Sequence, residues 1–362
     1  MRRLEQSGGD DAVNLQAGQD VNVYVGVSAA EVRDIALDVF RANFLELRGV
    51  AEDVARERAE KITRDFIDAL QARNAEGLSS IQDPDMQMTL YNAQKGYACS
   101  GDEDLEATLI DLLVDRAGQR NRDLKTLVLN QAIECLPKLT DQQRKALAIR
   151  FLVGHTGHND LPLRLRLFYG IISHHFAPFA DISSVRPVDL QYAQAAGVGA
   201  TSNFVLKVEQ ALWLTYCGFV FKGFSVEQAK SQLKTFDRDF TEDQINALLG
   251  DRSVFIPCIR NVDLLQFNAV SMENVKRLQT AKGLDARPGS AGPFETLCLH
   301  GRMSDEEIRE DVVSHVSAMS QLFEYWQKSG LEGFQLTAIG VAIGHSCWRQ
   351  ATGSDAPIDI WL

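Results

Sequence analysis

Hydrophobic residues recur at steps of three and four along residues 28–74, the spacing that places side chains on one face of an α-helix. Ser28 followed by Glu31 matches a capping box, in which each side chain bonds the other residue's backbone N–H. Gly49 is the helix breaker of this stretch and predicts a bend or a junction between two helices. We therefore expect a long helical segment that acts as a spine for other helices or packs against a second copy of the chain.

The same periodicity continues through most of the remaining chain, with Ser, Thr or Asp at predicted helix starts and Gly or Pro at predicted ends. The connectors between these segments are short, which favours antiparallel helix packing. The predicted helices cover residues 84–99, 105–118, 124–136, 141–153, 163–175, 204–221, 226–236, 242–249 and 304–329, with a helix or a strand followed by a helix over 336–348.

Alternation of apolar and polar residues, the strand pattern, is confined to short stretches. Residues 13–25 alternate on both sides of a Gly-Gln-Asp turn and predict a β-hairpin. Residues 254–259 predict one strand, and Ile358, Ile360 and Leu362 predict a terminal strand. The expected fold class is mainly α: a multi-helix bundle with a short N-terminal β-hairpin and minor β-structure near the C-terminus.

The order of these elements predicts three regions. Residues 1–27 form an N-terminal β segment that serves oligomerisation, and residues 28–154 form the long helix and a helical bundle. A polar stretch then leads into residues 155–362, a second, mainly helical region. Glycines and prolines at 283–293 predict a flexible surface loop within that region.

Composition narrows the functional classes. The 362 residues are 45% apolar and 24% charged, as in an ordinary globular protein. A net charge of −12 and an isoelectric point near 5.1 argue against a nucleic-acid-binding surface spread over the whole molecule, because phosphate is met by Lys and Arg. No apolar run reaches the roughly 20 residues that span a bilayer, and no export signal is evident. With six scattered cysteines, the sequence predicts a cytoplasmic protein with reduced thiols.

Residues 16–23, Gln-Ala-Gly-Gln-Asp-Val-Asn-Val, resemble an N-terminal motif of an uncharacterised family of bacterial proteins, in which the motif precedes a mostly helical body. The resemblance extends to residues 32–40, 139–143, 336–340 and 358–361. The resemblance carries no established activity and attaches no catalytic residue to this chain. It implies an oligomeric sensor or effector, with bacterial defence or stress loci as the context.

The histidines are the first candidates for a metal or an acid–base site. His155 and His158 lie three residues apart in a predicted loop, and His174 and His175 are adjacent. Adjacent positions on a helix point about 100° apart, and further ligands would have to come from the distant Cys-Leu-His triplet at 298–300. We therefore predict no metal site and no cofactor, and place the histidines in the core or at an interface.

Other patterns indicate structure rather than chemistry. The two glycines of residues 197–202 lack the lysine of a phosphate-binding loop, so this stretch is interpreted as a turn between helices. Gly340 and Gly344 would permit close helix approach. Cys347 follows His345 by two positions, which face different directions on a helix, so a buried thiol is expected. The carboxylates assigned to helix caps and solvated faces are Asp102, Glu103, Asp104 and Asp311.

The leading hypothesis is a non-enzymatic, self-associating bacterial protein that acts as a sensor, scaffold or effector component, with antiphage defence as one context. One alternative is a hydrolase-like enzyme that uses His155, His158 or His174 within residues 155–300. Another is a protein-binding module that uses the aromatic surface of residues 163–224. Histidines converging on a polar cavity would favour the enzyme. The residues predicted to mediate self-association are Val13, Leu15, Val21, Val23, Val25, Val32, Ile35 and Val39.

Overall fold

A computed structural model of the chain describes residues 28–43, 49–157, 161–237, 239–285 and 290–362. Within these ranges the fold is mainly α, as predicted, and the β-strands form two antiparallel pairs of three residues each. No helix in the described ranges combines the length and the apolar character that crossing a bilayer requires. The predicted hairpin at 13–25 lies outside the described residues.

The helices follow one another with short connections. In chain order they are α1 (Ala29–Asn43), α2 (Val50–Asn74), α3 (Pro84–Ser100), α4 (Glu103–Ala117), α5 (Leu124–Cys135), α6 (Asp141–His155), α7 (Leu165–Ile171), α8 (Pro187–Ala195), α9 (Val208–Tyr216), α10 (Val226–Phe236), α11 (Glu242–Gly250), α12 (Met272–Ala281), α13 (Pro293–Gly301), α14 (Asp305–His315), α15 (Met319–Ser329) and α16 (Ala338–Thr352). The strands are β1 (Gly199–Thr201), β2 (Phe255–Pro257), β3 (Leu265–Phe267) and β4 (Phe334–Leu336). Strand β1 pairs with β4, and β2 pairs with β3.

The capping box at the start of α1 is confirmed. The Ser28 backbone N–H donates to Glu31 Oε2 at 2.8 Å, and the Glu31 N–H donates to Ser28 Oγ at 3.3 Å. The predicted junction at Gly49 is also confirmed, because this residue caps α2 with φ +64°, a conformation that favours glycine. Since α1 packs against α2, the long segment folds on itself instead of extending as a single spine.

Residues assigned to self-association on α1 have unequal exposure. Val32 is fully buried within its own chain, because α1 packs on α2 and α3. Ile35 and Val39 are half-buried. Val32 therefore serves the core of the chain in this conformation. The hairpin residues Val13, Leu15, Val21, Val23 and Val25 lie outside the described residues.

Helix α16 joins the two predicted helical regions. It belongs by sequence to the second region, yet it packs against α4, α5 and α6 of the first, and one hydrophobic cluster contains buried residues from α1 through α16. The close approach predicted from its two glycines is confirmed. A Cβ atom on Gly340 would lie 1.8 Å from the Val198 carbonyl oxygen, and one on Gly344 would lie 2.7 Å from that of Leu147.

Four local predictions are wrong. The helix predicted over 204–221 is confined to α9, Val208–Tyr216. The 304–329 helix is divided into α14 and α15 by residues 316–318. Residues 197–202 do not simply link helices, since a turn at Gly197 (φ +83°) leads directly into strand β1. The terminal residues Ile358–Ile360 form a 3-10 turn instead of a strand. Their alternation reflects one-sided burial in that turn, where Ile358 is 2% exposed and Ile360 is 63% exposed.

Candidate binding cleft

A cleft of about 810 Å³ opens among the described residues, within the size range of small-molecule sites. It lies between the end of α6, the turn after α7, helices α9, α12 and α16, and the C-terminal residues 354–361. Its aromatic and apolar lining comes from His155, His175, Leu214, Met272, Trp348 and Trp361. The cleft thus combines residues from distant parts of the chain.

His155 is the last residue of α6 and forms one edge of the cleft. Its imidazole stacks on Phe151 with the ring centroids 5.9 Å apart, and its backbone oxygen accepts a hydrogen bond from Trp361 Nε1 at 2.7 Å. Desolvation and, secondarily, the nearby charge of Arg150 lower the pKa of His155 below its ordinary value. The imidazole is therefore neutral at physiological pH.

His175 lies in a π-helical turn, residues Ile172–Phe176, that follows α7. π-Helical turns are rare in proteins, and many of those that do occur lie at functional sites. Trp348 Nε1 donates to His175 Nδ1 at 3.0 Å, and because an indole nitrogen only donates, Nδ1 must be the unprotonated nitrogen. The neighbouring His174 is exposed, and its Nε2 lies 3.0 Å from the Thr352 carbonyl oxygen.

Trp361, which lines the cleft, belongs to an aromatic cluster. The ring of Trp361 contacts Phe151 at 5.0 Å and His345 at 5.1 Å between centroids. His345 is buried, its Nε2 lies 2.8 Å from the Ala356 carbonyl oxygen, and burial lowers its pKa to about 4. A neutral His345 donates from Nε2 to that oxygen. His345 and Trp361 together attach the C-terminal segment to the helical body.

The charged residues at the cleft are already paired. Glu273 forms an ion pair with Arg277, and Lys276 lies 3.5 Å from Glu295. The hydroxyl of Thr156 donates to the Leu152 carbonyl oxygen at 2.8 Å. The arrangement offers aromatic surfaces and neutral imidazoles rather than a nucleophile held by an adjacent base.

The remaining candidate residues serve structure. Cys347, expected to carry a buried thiol, is half-buried in the structure, and desolvation raises the pKa of its thiol to about 12. Asp102 caps α4 as predicted, accepting from the Leu105 N–H at 2.9 Å. The assignment of Asp311 to a solvated face is wrong: Arg260 contacts both of its oxygens at 2.8 and 2.7 Å, and the Tyr169 hydroxyl donates to it at 2.9 Å. Arg260 and Tyr169 are distant from Asp311 in sequence, so the sequence pattern did not reveal that this carboxylate is paired.

Within the described ranges, no three His, Cys, Asp or Glu side chains are close enough together to hold a metal ion. His158 lies outside those ranges. The absence of a zinc site thus stays a prediction.

Comparison with known proteins gives one match. A family model covers residues 26–362, and the family it represents is uncharacterised. The motif at 16–23 precedes the matched residues, so its part in the resemblance stays an expectation. No curated protein and no solved structure matches the chain.

Proposed function

Because the chain belongs to this uncharacterised family, we propose its function from the cleft: it is a non-catalytic sensor that binds a small organic molecule with a planar ring. The observation that carries the proposal is that the indole rings of Trp348 and Trp361 line one cleft of about 810 Å³. Aromatic pairs in offset or edge-to-face arrangement contribute about 0.5–1.5 kcal/mol beyond area burial. A planar ligand would gain this contribution from either indole.

The hydrogen bonds of the two indoles support the proposal. Trp348 is held by His175, and Trp361 is held by the backbone of His155. Side chains that are already fixed lose little conformational freedom when a ligand binds, which favours affinity. The cleft is therefore organised for binding before a ligand arrives.

The enzyme alternative has less support. Of the three histidines proposed for a hydrolase, His155 lines the cleft, His174 lies outside its lining, and His158 is outside the described residues. His175 joins His155 in the cleft, but its Nδ1 accepts from an indole and is therefore occupied. A general base needs a free nitrogen within reach of the proton that it removes.

Self-association is the second part of the proposal. The apolar alternation of residues 13–25 would need a partner, because an isolated hairpin is marginal in water. Pairing with a second copy would let a sensor in antiphage defence transmit ligand binding through assembly. Light scattering of the full chain and of a variant lacking residues 1–26 tests this part. An unchanged number of chains per particle would contradict it.

The binding proposal is tested with a library of aromatic and heteroaromatic fragments, screened by thermal unfolding. We expect some fragments to raise the unfolding temperature of the wild type and none to do so for Trp361→Ala. Phe204→Ser is the matched control, because Phe204 is 63% exposed and does not line the cleft. Equal responses in all three proteins, or no response in the wild type, would contradict a ligand site at the two indoles.

A further inference from the structure

Arg150 carries a buried positive charge without a carboxylate partner in the described part of the chain. Its side chain is 2% exposed. Nε donates to the Phe334 carbonyl oxygen at 2.5 Å and Nη2 donates to Gln335 Oε1 at 3.1 Å, but buried Nη1 has no hydrogen-bond partner among the described residues. Burial lowers the pKa of Arg150 to about 10, so the group remains a cation at neutral pH.

Gln335 adds a second donor in the same place. Because Nη2 of Arg150 only donates, the Gln335 amide must present Oε1 to it, and this turns Nε2 away. That Nε2 is buried and has no partner within the described residues. Two adjacent side chains therefore hold unpaired donors, and rotating the amide would only place two donors against each other.

Gly154 makes room for the guanidinium. A Cβ atom at this position would lie 2.2 Å from Arg150 Nη1. Gly154 is itself exposed and lines the cleft. Nη1 of Arg150 thus lies next to a residue that has no side chain and that itself lines the cleft.

An uncompensated buried charge is costly unless a counter-charge and hydrogen bonds accompany it. We propose that Arg150 and Gln335 form a binding site for an oxyanion, either a phosphate or a carboxylate, that enters past Gly154. One oxygen accepts from Arg150 Nη1, another accepts from Gln335 Nε2, and the negative charge compensates the guanidinium. This inference does not rest on the ring-binding function proposed for the cleft.

The experiment compares thermal unfolding in inorganic phosphate, in acetate and in chloride, at neutral pH and matched ionic strength. Binding to the folded state should give a saturable rise of about 2–4 °C in phosphate or in acetate relative to chloride. A response to phosphate alone identifies a phosphate site, and one to acetate alone identifies a carboxylate site. No rise above chloride in either salt overturns the proposal.

Three variants locate the effect. Arg150→Met should abolish the response. Gln335→Glu supplies a carboxylate beside the guanidinium, so it should unfold at a higher temperature than the wild type without added anion and no longer respond. Lys145→Met is the control, because Lys145 lies on the same helix, is 39% exposed and pairs with Asp141. A response that survives in Arg150→Met, or a Gln335→Glu variant that unfolds earlier and still responds, overturns the proposal.

Asp160 is the next acidic residue along the chain after Gly154 and lies outside the described residues. If Asp160 were the counter-charge, Asp160→Asn would unfold at a lower temperature and acquire a phosphate response that the wild type lacks. That outcome would overturn the proposal. Under the proposal, Asp160→Asn responds to the anion as the wild type does.

Discussion

The two faces of α16 differ in how their polar groups are satisfied. Towards α4, Ser346 and Arg349 both donate to the buried carboxylate of Asp111, at 2.7 and 2.6 Å. Towards the cleft, His345 and Trp348 are neutral groups bonded to a backbone oxygen and to another ring. On the first face the buried charges neutralise one another, whereas the second face borders an open cavity. The face towards α4, with its paired charges, therefore serves stability. The face towards the cleft leaves space in which a ligand would fit.

The largest effect is expected on the structural face. Asp111→Asn removes the more buried of the two carboxylates that contact both Arg349 and Arg73, and only Asp115 remains. The free energy of unfolding should therefore fall by about 3 kcal/mol, the low end for breaking a buried ion pair. Urea denaturation measures this fall. Glu134→Gln is the control, since its ion pair with Lys138 is exposed on both sides and should change stability by less than about 1 kcal/mol. If Asp111→Asn and Glu134→Gln lowered the stability equally, the buried ion pairs would contribute no more than an exposed one, which would contradict this comparison.

The cleft face should respond to acid. The folded pKa of His345, about 4, lies below the ordinary value of 6.5, so the unfolded chain takes up a proton first as pH falls. The stability that neutral His345 contributes is complete above pH 6.5 and is lost between pH 6.5 and 4, by about 2–3 kcal/mol. His345→Gln retains an N–H donor and does not titrate. From neutral pH to about pH 4.5, the urea midpoint should fall less for His345→Gln than for the wild type. An equal fall in both proteins would contradict the role of His345.

Close packing at the start of α16 predicts an intermediate effect. In Gly340→Ala the new methyl group would meet the Val198 backbone, and overpacking of this kind costs about 1–3 kcal/mol. Gly170→Ala in α7 is the matched control because a Cβ there has nothing within 4 Å. Its stability should stay the same or rise by up to about 1 kcal/mol. Thermal unfolding distinguishes the two, and a tolerated Gly340→Ala would show that the helices can separate.

The smallest effect is expected at the C-terminal segment. Trp361→Phe removes the bond from Nε1 to the His155 oxygen while an aromatic ring remains, so stability should fall by about 0.5–1.5 kcal/mol. Ligand-induced stabilisation should persist, because the ring still lines the cleft. If Trp361→Phe lost the fragment response, ligand binding would depend on the hydrogen bond from Trp361 Nε1 and not on the aromatic ring.

Local signals predicted the helices well, because caps and periodicity act within a few residues. The helix predicted over 141–153 is α6, and a capping box of Thr140 and Gln143 starts it, with the Thr140 N–H donating to Gln143 Oε1 at 2.9 Å. The pattern at 226–236 gives α10 with the same bounds. Here local chemistry and tertiary packing favour the same conformation.

Tertiary contacts determined what the sequence did not predict. Alternation at the C-terminus predicts a strand, but the segment forms a 3-10 turn and Trp361 donates to a backbone oxygen 206 residues away. Arg150 appeared as an ordinary residue of a periodic helix, and its charge became informative only once its buried, partly unpaired guanidinium was located. The Trp and His residues of the cleft carry no characteristic spacing because they come from separate elements. A pattern of residue types cannot report such convergence.

The most direct test of the cleft as a ligand site is the NMR spectrum of the indole N–H groups. The chain contains four tryptophans, and single Trp→Phe variants assign their signals. On adding a fragment that raises the unfolding temperature, we expect the signals of Trp348 and Trp361 to shift. Those of Trp213 and Trp326, which are buried outside the cleft lining, should stay in place. Shifts confined to Trp213 and Trp326, or no shift at a saturating concentration, would contradict the account.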